Sequence, residues 1–333
     1  METYLRCTVL PQVVKCSICG DRAVASLPYA RLVLCRKHFT EFIEKKVEKT
    51  IRRYKLISKG WRVLVAVSGG KDSSTLLTVL TKLAEALDFS LLAIYINLGI
   101  PEYSEKCLST VRKLVELLNV KLIIVDVKEA VGYTIPELAA KLRRPACSVC
   151  GTVKRYILNA AAIESRASAL ALGHNLDDLA AYALKEFLNQ NLGQVSKFGP
   201  KTESISDLAV GRIRPLYEVL ERESLIYALV NNIPFLPDEC PYVRLSSLEF
   251  TLKNQLNKLE SRFPSIKVSF IRRLAKNLGK YPRIQQELTK CITCGLIAST
   301  ELCSFCRMTK RVLGRPQGSI VREYIRNKLK ELK

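Results

Sequence analysis

Residues 62–67, Arg-Val-Leu-Val-Ala-Val, run without interruption into Ser68-Gly69-Gly70-Lys71-Asp72-Ser73, and these open directly into Ser74-Thr75-Leu76-Leu77. A short β-branched run of this length reads as a buried strand, and the glycine pair lets the chain turn tightly into a helix. Such a junction leaves backbone N–H groups and the positive end of the helix dipole facing outward, which makes an anion site. It is not a Walker A loop. That motif needs Gly five residues before Gly70, where Val65 stands, and Ser or Thr after Lys71, where Asp72 stands. Similar apolar runs recur at 91–96 (LLAIYI), 121–127 (KLIIVDV) and 168–172 (SALAL), alternating with helical patterns across residues 61–250. That alternation predicts an α/β fold around a parallel sheet. Between the second and third runs, Ser104 is the expected N-cap of a helix whose buried stripe is Cys107, Leu108, Val111, Leu114, Val115 and Leu118.

The 333 residues are enough for about two domains with small modules attached, and a chain this long needs no disulfide staples. Apolar residues make up 48% and charged residues 25%, as in an ordinary globular protein. No apolar run approaches the ~18 residues of a membrane span, so no membrane is expected. The start, Met-Glu-Thr-Tyr-Leu-Arg, has no apolar signal segment, and a cytoplasmic setting is the expectation. The net charge of +22 is unevenly placed: +8 in residues 1–60, zero in 61–250 and +14 in 251–333. Lys-rich surfaces with balanced charge are a hyperthermophile habit, but an imbalance of this size favours a phosphate polyanion as partner. Three segments follow: a cysteine-rich start with a basic helix (1–60), an α/β centre (61–250), and a basic helical region with a second cysteine cluster at 291–306 (251–333). In the first, Phe39, Ile43, Val47, Ile51 and Tyr54 form an apolar stripe opposite Lys45, Lys46, Lys49, Arg52 and Arg53.

Twelve cysteines stand against two histidines, and most fall in short-spaced groups. Cys16-x2-Cys19 is followed, fifteen residues on, by Cys35-x2-His38; Cys291-x2-Cys294 is followed, eight residues on, by Cys303-x2-Cys306. A CxxC turn aims two sulfurs at one point, and a second pair completes a tetrahedron around Zn²⁺. Gly20 and Gly295 follow the first pairs, where a knuckle turns tightly. Four protein ligands close a site, so two structural Zn²⁺ ions are expected. A third CxxC, Cys147-Ser148-Val149-Cys150-Gly151, precedes Lys154 and Arg155, and Cys240-Pro241-Tyr242 comes later. Gly173-His174-Asn175-Leu176-Asp177-Asp178 follows the fourth strand, so it should share one crevice with the Ser68–Ser73 hexad at the carboxyl ends of the strands. Cys7 and Cys107 match no motif, and Cys107 fits the core stripe.

The hexad SGGKDS resembles the signature of the PP-loop family, the N-type ATP pyrophosphatases. That resemblance implies a Rossmann-like sheet and cleavage of ATP between its α and β phosphates, with adenylation of a substrate. The order of N-terminal zinc finger, PP-loop, CxxCG, GHNxDD, Cys-Pro-Tyr and C-terminal zinc finger, over residues 16–306, is similar to that of the tRNA 2-thiolation branch. Within it the pattern looks most like the enzymes that thiolate uridine or 5-methyluridine 54. Wobble uridine 34, cytidine 32 and other PP-loop adenylations of tRNA are the alternatives.

The resemblance implies that ATP, with Mg²⁺, is held by Ser68, Gly69, Gly70, Lys71, Asp72 and Ser73, with Ala66, Ile96 and Gly173 close by. It implies a 4Fe-4S cluster on Cys147, Cys150 and Cys240, leaving one iron open for sulfur. A redox relay through these cysteines, or buried structural thiols, would read the same residues differently. Lys154 is implied as the catalytic cation near the phosphates and Asp178 as general base on the uridine, against the plainer reading of Asp178 as a helix cap. His174 reads as a loop-shaping residue. The implied partners are tRNA, a ubiquitin-like sulfur carrier with a C-terminal thiocarboxylate (or sulfide), and a second copy in a homodimer. The chain departs from the pattern in two places: Leu179 follows the aspartate pair where an acidic residue is usual, and Asn189-Gln190-Asn191-Leu192-Gly193 stands where the family has Arg-Gly.

Overall fold

The computed structural model describes residues 14–282 and 288–332; Cys7 lies outside them. The chain begins with a hairpin of β1 (Ala23–Leu27) and β2 (Leu32–Cys35), followed by the long helix α1 (Arg36–Tyr54). The centre then alternates: β3 (Trp61–Ala66), α2 (Lys71–Ala84), β4 (Phe89–Asn97), α3 (Tyr103–Leu118) and β5 (Leu122–Asp126). Helices α4 (Val127–Val131), α5 (Ile135–Leu142) and α6 (Ala146–Glu164) lead to β6 (Ala169–Ala171) and α7 (Leu176–Leu188). Next come α8 (Leu192–Val195), β7 (Lys201–Thr202), β8 (Arg212–Ile213) and α9 (Glu221–Val230). The basic end holds α10 (Leu248–Arg262), α11 (Ile266–Asn277), β9 (Thr289–Lys290), β10 (Ile297–Ala298), α12 (Ser304–Leu313) and α13 (Gly318–Lys330). No helix among the described residues is long and apolar enough to cross a membrane.

The sheet has the order β5-β4-β3-β6-β8-β7, parallel except for the edge strand β7. The chain winds outward from β3 through β4 to β5, then returns to place β6 on the other side of β3. The topological switch point therefore lies between β3 and β6, where a doubly wound sheet binds its ligand. All four expected strands are present, so the apolar runs identified the sheet.

Strand alternation explains how the core divides. Leu64, Ile94, Ile96, Ile123, Val125 and Leu170 face one side, where α5, α6, α12 and α13 cover them. Val63, Val65, Ala93, Tyr95, Ala169 and Ala171 face the other, with α1, α2 and α3. Both faces are dry, as a parallel sheet demands. The stripe Phe39-Ile43-Val47-Ile51 of α1 is buried as expected. Cys16 and Cys35 join the second face, whereas Cys291, Cys294, Cys303 and Cys306 join the first. The two terminal cysteine quartets thus pack on opposite sides of one sheet. Phe305 of α12 stacks on Tyr156 of α6 at 4.0 Å between ring centroids, and the Tyr156 hydroxyl donates to the Gly318 carbonyl at 2.7 Å. A smaller apolar cluster joins α7, α10 and α11 through Leu176, Leu179, Val268, Ile271 and Leu274.

Ser104 is not the N-cap of α3. The helix starts at Tyr103, and the Ser104 hydroxyl accepts a hydrogen bond from the Ile100 N–H at 3.0 Å, fastening the preceding loop instead. The stripe behaves as expected: Cys107, Val111 and Leu114 are buried, with Leu108, Val115 and Leu118 packed around them.

Candidate active site and metal centres

The SGGKDS loop leaves the end of β3 and becomes the first turn of α2, whose N-cap is Gly70. With no side chain on the cap, the helix end stays open to an anion. Ser73 folds the loop back on itself: its hydroxyl accepts from the Ser68 N–H at 3.1 Å and donates to the Gly70 carbonyl at 3.0 Å. Gly69 has φ +87°, and a Cβ there would lie 3.1 Å from the Cys107 Cα of α3. A Cβ on Gly173 would lie 3.1 Å from the Ser73 backbone nitrogen. The structure therefore presses the GHNLDD loop directly onto the phosphate loop, and any side chain at Gly173 would have to push the Ser73 backbone back by a few tenths of an ångström. Ala66 and Ile96 end the neighbouring strands; Ala66 pairs with Ile94, while Ile96 is buried in the core beside Val125.

A chain of alternating charges crosses the crevice. Asp72 accepts from Asn175 Nδ2 at 3.1 Å on one oxygen and from Lys71 Nζ at 3.0 Å on the other. Lys71 also donates to Glu221 at 2.7 Å; Lys253 donates to the other Glu221 oxygen at 2.6 Å and to Asp178 at 2.8 Å. Burial raises the Asp72 pKa even against Lys71, and the nearby Asp178 and Glu221 charges add to the effect. Burial opposes the charged forms of Lys71, Lys253 and Glu221, but their opposite-charge neighbours win. Both lysines are held above their ordinary range and Glu221 below its own.

Glu221 and Lys253 were not marked by sequence reasoning. Glu221 is one of three glutamates in Glu218-Val-Leu-Glu-Arg-Glu223, and Lys253 looks like any lysine of a basic helix. No spacing distinguishes them. Only the packing of α10 on α7 carries Lys253 into the crevice.

Asp178 fills its plainer role: with Asn175 it forms a capping box at α7, its N–H donating to Asn175 Oδ1 at 3.0 Å. Asp177 is buried and structural, pairing with Lys267 and accepting from the Glu221 N–H at 2.7 Å. Burial, reinforced by Arg214, lowers the His174 pKa and keeps the ring neutral, with its Nδ1 buried and unpartnered.

The middle cysteines lie beside this crevice. Cys147, Cys150 and Lys154 share one face of α6, at steps of three and four residues. Cys147 is exposed, and its thiol donates to the Tyr242 carbonyl at 3.1 Å, two residues from Cys240. Burial raises the Cys150 thiol pKa; Lys154 opposes this, and the Cys240 and Cys147 sulfurs act on the same group. Lys154 has no carboxylate partner among the described ion pairs. Cys107 is buried core, as expected. The three sulfurs do not gather within 4.8 Å of one another, unlike the terminal quartets. That spacing is too wide for one tetrahedral ion, whereas a cluster of several irons spans more space. Thiolates are the donors such a cluster takes, so the residues present fit it.

The terminal quartets are compact. Cys16, Cys19, Cys35 and His38 form one group, and Cys291, Cys294, Cys303 and Cys306 the other, each with all ligand atoms within 4.8 Å. Cys16 Sγ lies 3.5 Å from His38 Nδ1, Cys19 Sγ 3.6 Å from Cys35 Sγ, and Cys294 Sγ 3.8 Å from Cys303 Sγ. A tetrahedral ion with metal–sulfur bonds of ~2.3 Å needs sulfur–sulfur edges of ~3.8 Å. Both first pairs use one turn: Gly20 N–H donates to Cys16 O at 3.0 Å and Gly295 N–H to Cys291 O at 2.9 Å, with φ of +80° and +72°.

Known proteins agree with this arrangement. The sequence profile of the PP-loop domain matches residues 39–245, and that of the 2-thiouridine synthetase TtuA N-terminal LIM domain matches residues 15–40. A tRNA-5-methyluridine(54) 2-sulfurtransferase of Pyrococcus horikoshii is 40% identical, covering 88% of this chain and 93% of its own. The chain belongs to the PP-loop tRNA 2-thiolation family. A second relative of the same name, from Thermus thermophilus, is 37% identical over 90% of this chain and 92% of its own. Among solved structures, the U34-tRNA thiolase NcsA of Methanococcus maripaludis with its 4Fe-4S cluster superposes with a TM-score of 0.76 at 27% identity. That match covers 91% of this chain and 97% of NcsA. The departures from the family pattern have a local explanation in one case. Leu179 is buried between α7 and α11, pointing away from the crevice, so no acid is required there. Residues 189–191 form an exposed turn after α7.

Proposed function

We propose that this chain thiolates C2 of uridine or 5-methyluridine 54 in tRNA, using ATP. The observation that carries the reading is the fusion of the SGGKDS and GHNLDD loops at the switch point, with three cysteines beside them. Relatives at 37–40% identity that bear the position-54 name support it.

In this reading the open end of α2 and the Ser68–Ser73 loop receive the ATP phosphates, and Asp72 helps hold Mg²⁺. Ala66, Ile96 and Gly173 border the nucleotide. O2 of the uridine attacks the α phosphate, forming the O2–P bond as the bond to the β-phosphate oxygen breaks and pyrophosphate leaves. Asp178, which accepts from Lys253 at 2.8 Å, takes the N3 proton. Lys154 offsets charge growing on the phosphoryl oxygens. Sulfide-level sulfur then adds to C2 and AMP departs with the electron pair of the C2–O bond. A 4Fe-4S cluster on Cys147, Cys150 and Cys240 would supply an open iron on which sulfur is held. The terminal quartets would each hold a structural Zn²⁺, since four protein ligands leave no position for substrate. A ubiquitin-like thiocarboxylate carrier or free sulfide as donor, a homodimer and a cytoplasmic setting belong to the same reading on family resemblance.

Wobble-uridine thiolation is the alternative, since the U34 thiolase shares the fold, and the fold does not distinguish the two positions. Mass spectrometry of tRNA fragments from cells with and without the gene separates them. Sulfur lost at 54 supports the proposal; loss at 34 or 32 moves the target; no loss anywhere, without a redundant enzyme, ends the thiolation reading.

A further inference from the structure

Two cavities lie around the C-terminal quartet, and both are lined by cations. One, of 560 Å³, is bordered by Lys290, Ser319, Arg322 and Arg326 beside Cys291 and Cys294. Its arginines share one carboxylate, Glu164, which pairs with Arg322 at 2.5 Å and reaches Arg326 at 3.8 Å. The other, of 340 Å³, lies between α6 and α12. Its rim is Arg144, Thr152, Ser304, Arg307 and Arg311, and its floor includes the buried Leu142 and Met308. No carboxylate among the described residues lines it. Arg144 donates to the Ser148 hydroxyl at 2.8 Å and Arg307 to the Thr300 hydroxyl at 2.9 Å, contacts that orient a guanidinium without neutralising it. Ser304, Arg307 and Arg311 stand on one face of α12 at steps of three and four.

We propose that this second cavity is an RNA-phosphate site. Three uncompensated guanidiniums converging from two elements repel one another, and an anion with several oxygens relieves that repulsion while accepting forked hydrogen bonds. Hydroxyls of Thr152 and Ser304 add neutral donors at the same rim. The location suits a polynucleotide. Thr152 stands on the side of α6 turned toward α12, across the helix from Cys147, Cys150 and Lys154, so a backbone phosphate held here grips RNA on the flank opposite the middle cysteines. The inference rests on the tRNA reading above and adds where the polyanion is gripped.

The test is tRNA binding to the full chain, measured against salt from ~0.05 to ~0.3 M, for wild type, R307A/R311A, R144Q and R326A. Each phosphate contact contributes about 0.7–0.9 to the log–log salt slope. R307A/R311A should lower the slope by about 1–2 and weaken binding roughly tenfold near ~0.1 M salt, with R144Q acting in the same direction. R326A, already paired with Glu164, should leave the slope unchanged. Metal content and melting temperature verify that α12 is intact; if the double variant unfolds, R144Q, in the loop between α5 and α6, decides alone. A wild-type slope in both cavity variants overturns the site while leaving the tRNA reading in place. Absence of salt-dependent tRNA binding by wild type overturns both.

Discussion

The cysteines at the two ends and the cysteines in the middle use the same CxxC spacing and reach different arrangements. At the ends, backbone hydrogen bonds from Gly20 and Gly295 close each knuckle, a second ligand pair is delivered by a helix start, and the four donors stand at the edges of a tetrahedron. In the middle, Cys147 and Cys150 sit in the first turn of a helix, the third sulfur comes from a loop, and the three do not converge on a point. The closed sites lie on opposite faces of the sheet, whereas the middle group lies at the crevice beside Lys154, which has no carboxylate partner among the described residues. Spacing alone gives a pair of thiols; the partner element decides whether the pair becomes a rivet or a reactive centre.

The sharpest way to break that contrast is to attack a quartet. C294A should release the metal of the C-terminal site and unfold α12 and α13, since structural zinc of this kind supplies ~10–16 kcal/mol of apparent folding free energy. Metal analysis and far-UV circular dichroism read it. A variant that stays folded without metal would mean that the Phe305–Tyr156 stack and the shared core suffice. C147A should behave oppositely: thiolation falls by at least ~10³-fold, while the two quartets keep their metal and the melting temperature stays within a degree or two. Full thiolation by C147A would remove the cysteines from the reaction.

How far the sequence spoke divides along the same line. The strands, the phosphate loop and both quartets were legible because each is a local pattern: β-branched runs, a glycine pair at a helix start, four ligands at short spacing. The charged chain from Asp72 to Asp178 was only half legible. Asp72, Lys71 and Asp178 belong to motifs, but Glu221 and Lys253 reach the crevice through the packing of α9 and α10, which no spacing records. Ser104 shows the converse. A serine near a helix start reads as a cap, yet the chain enters α3 one residue earlier and the hydroxyl holds the loop. Asp178 is the built cap of α7 as well as the proposed base, and the sequence could name both roles without saying that the cap is built.

A smaller effect sharpens the contrast by testing the charged network rather than the sulfurs. Lys253 lies on the basic C-terminal flank but acts on Asp178 and Glu221. K253M should lower thiolation about 10–100-fold with both metal quartets intact, and K253R should recover part of it. The pH profile gives the diagnosis. Lys253 and Lys71 hold the Glu221 pKa below its ordinary value, so removing Lys253 raises it. The acid limb of the rate profile should then move to higher pH; a uniform loss at every pH would assign Lys253 to packing alone.

The smallest expected effect asks whether the two flanks that carry the quartets are tied to each other. Glu218 is buried and accepts hydrogen bonds from Arg53 of α1, Tyr54, and Arg272 of α11, so one carboxylate joins the N-terminal and C-terminal helices. Burial opposes its ionisation, yet Arg272 and Arg53 prevail and hold its pKa below the ordinary 4.5. A carboxylate depressed on folding stabilises the protein above its unfolded pKa, and the contribution disappears as pH falls through the folded value. E218Q should therefore cost about 1–3 kcal/mol near neutral pH, a figure kept modest because both arginines are half exposed. The stability gap to wild type should close as pH drops below about 4.5. Near neutral pH both quartets should keep the same metal content as wild type, because neither depends on this clasp for its knuckle. A gap that persists unchanged to low pH would assign the loss to packing around Tyr54 and Tyr217, whose rings meet edge-on at 5.5 Å. The flanks would then be joined by apolar contact, and the quartets would owe nothing to charge on either side of the sheet.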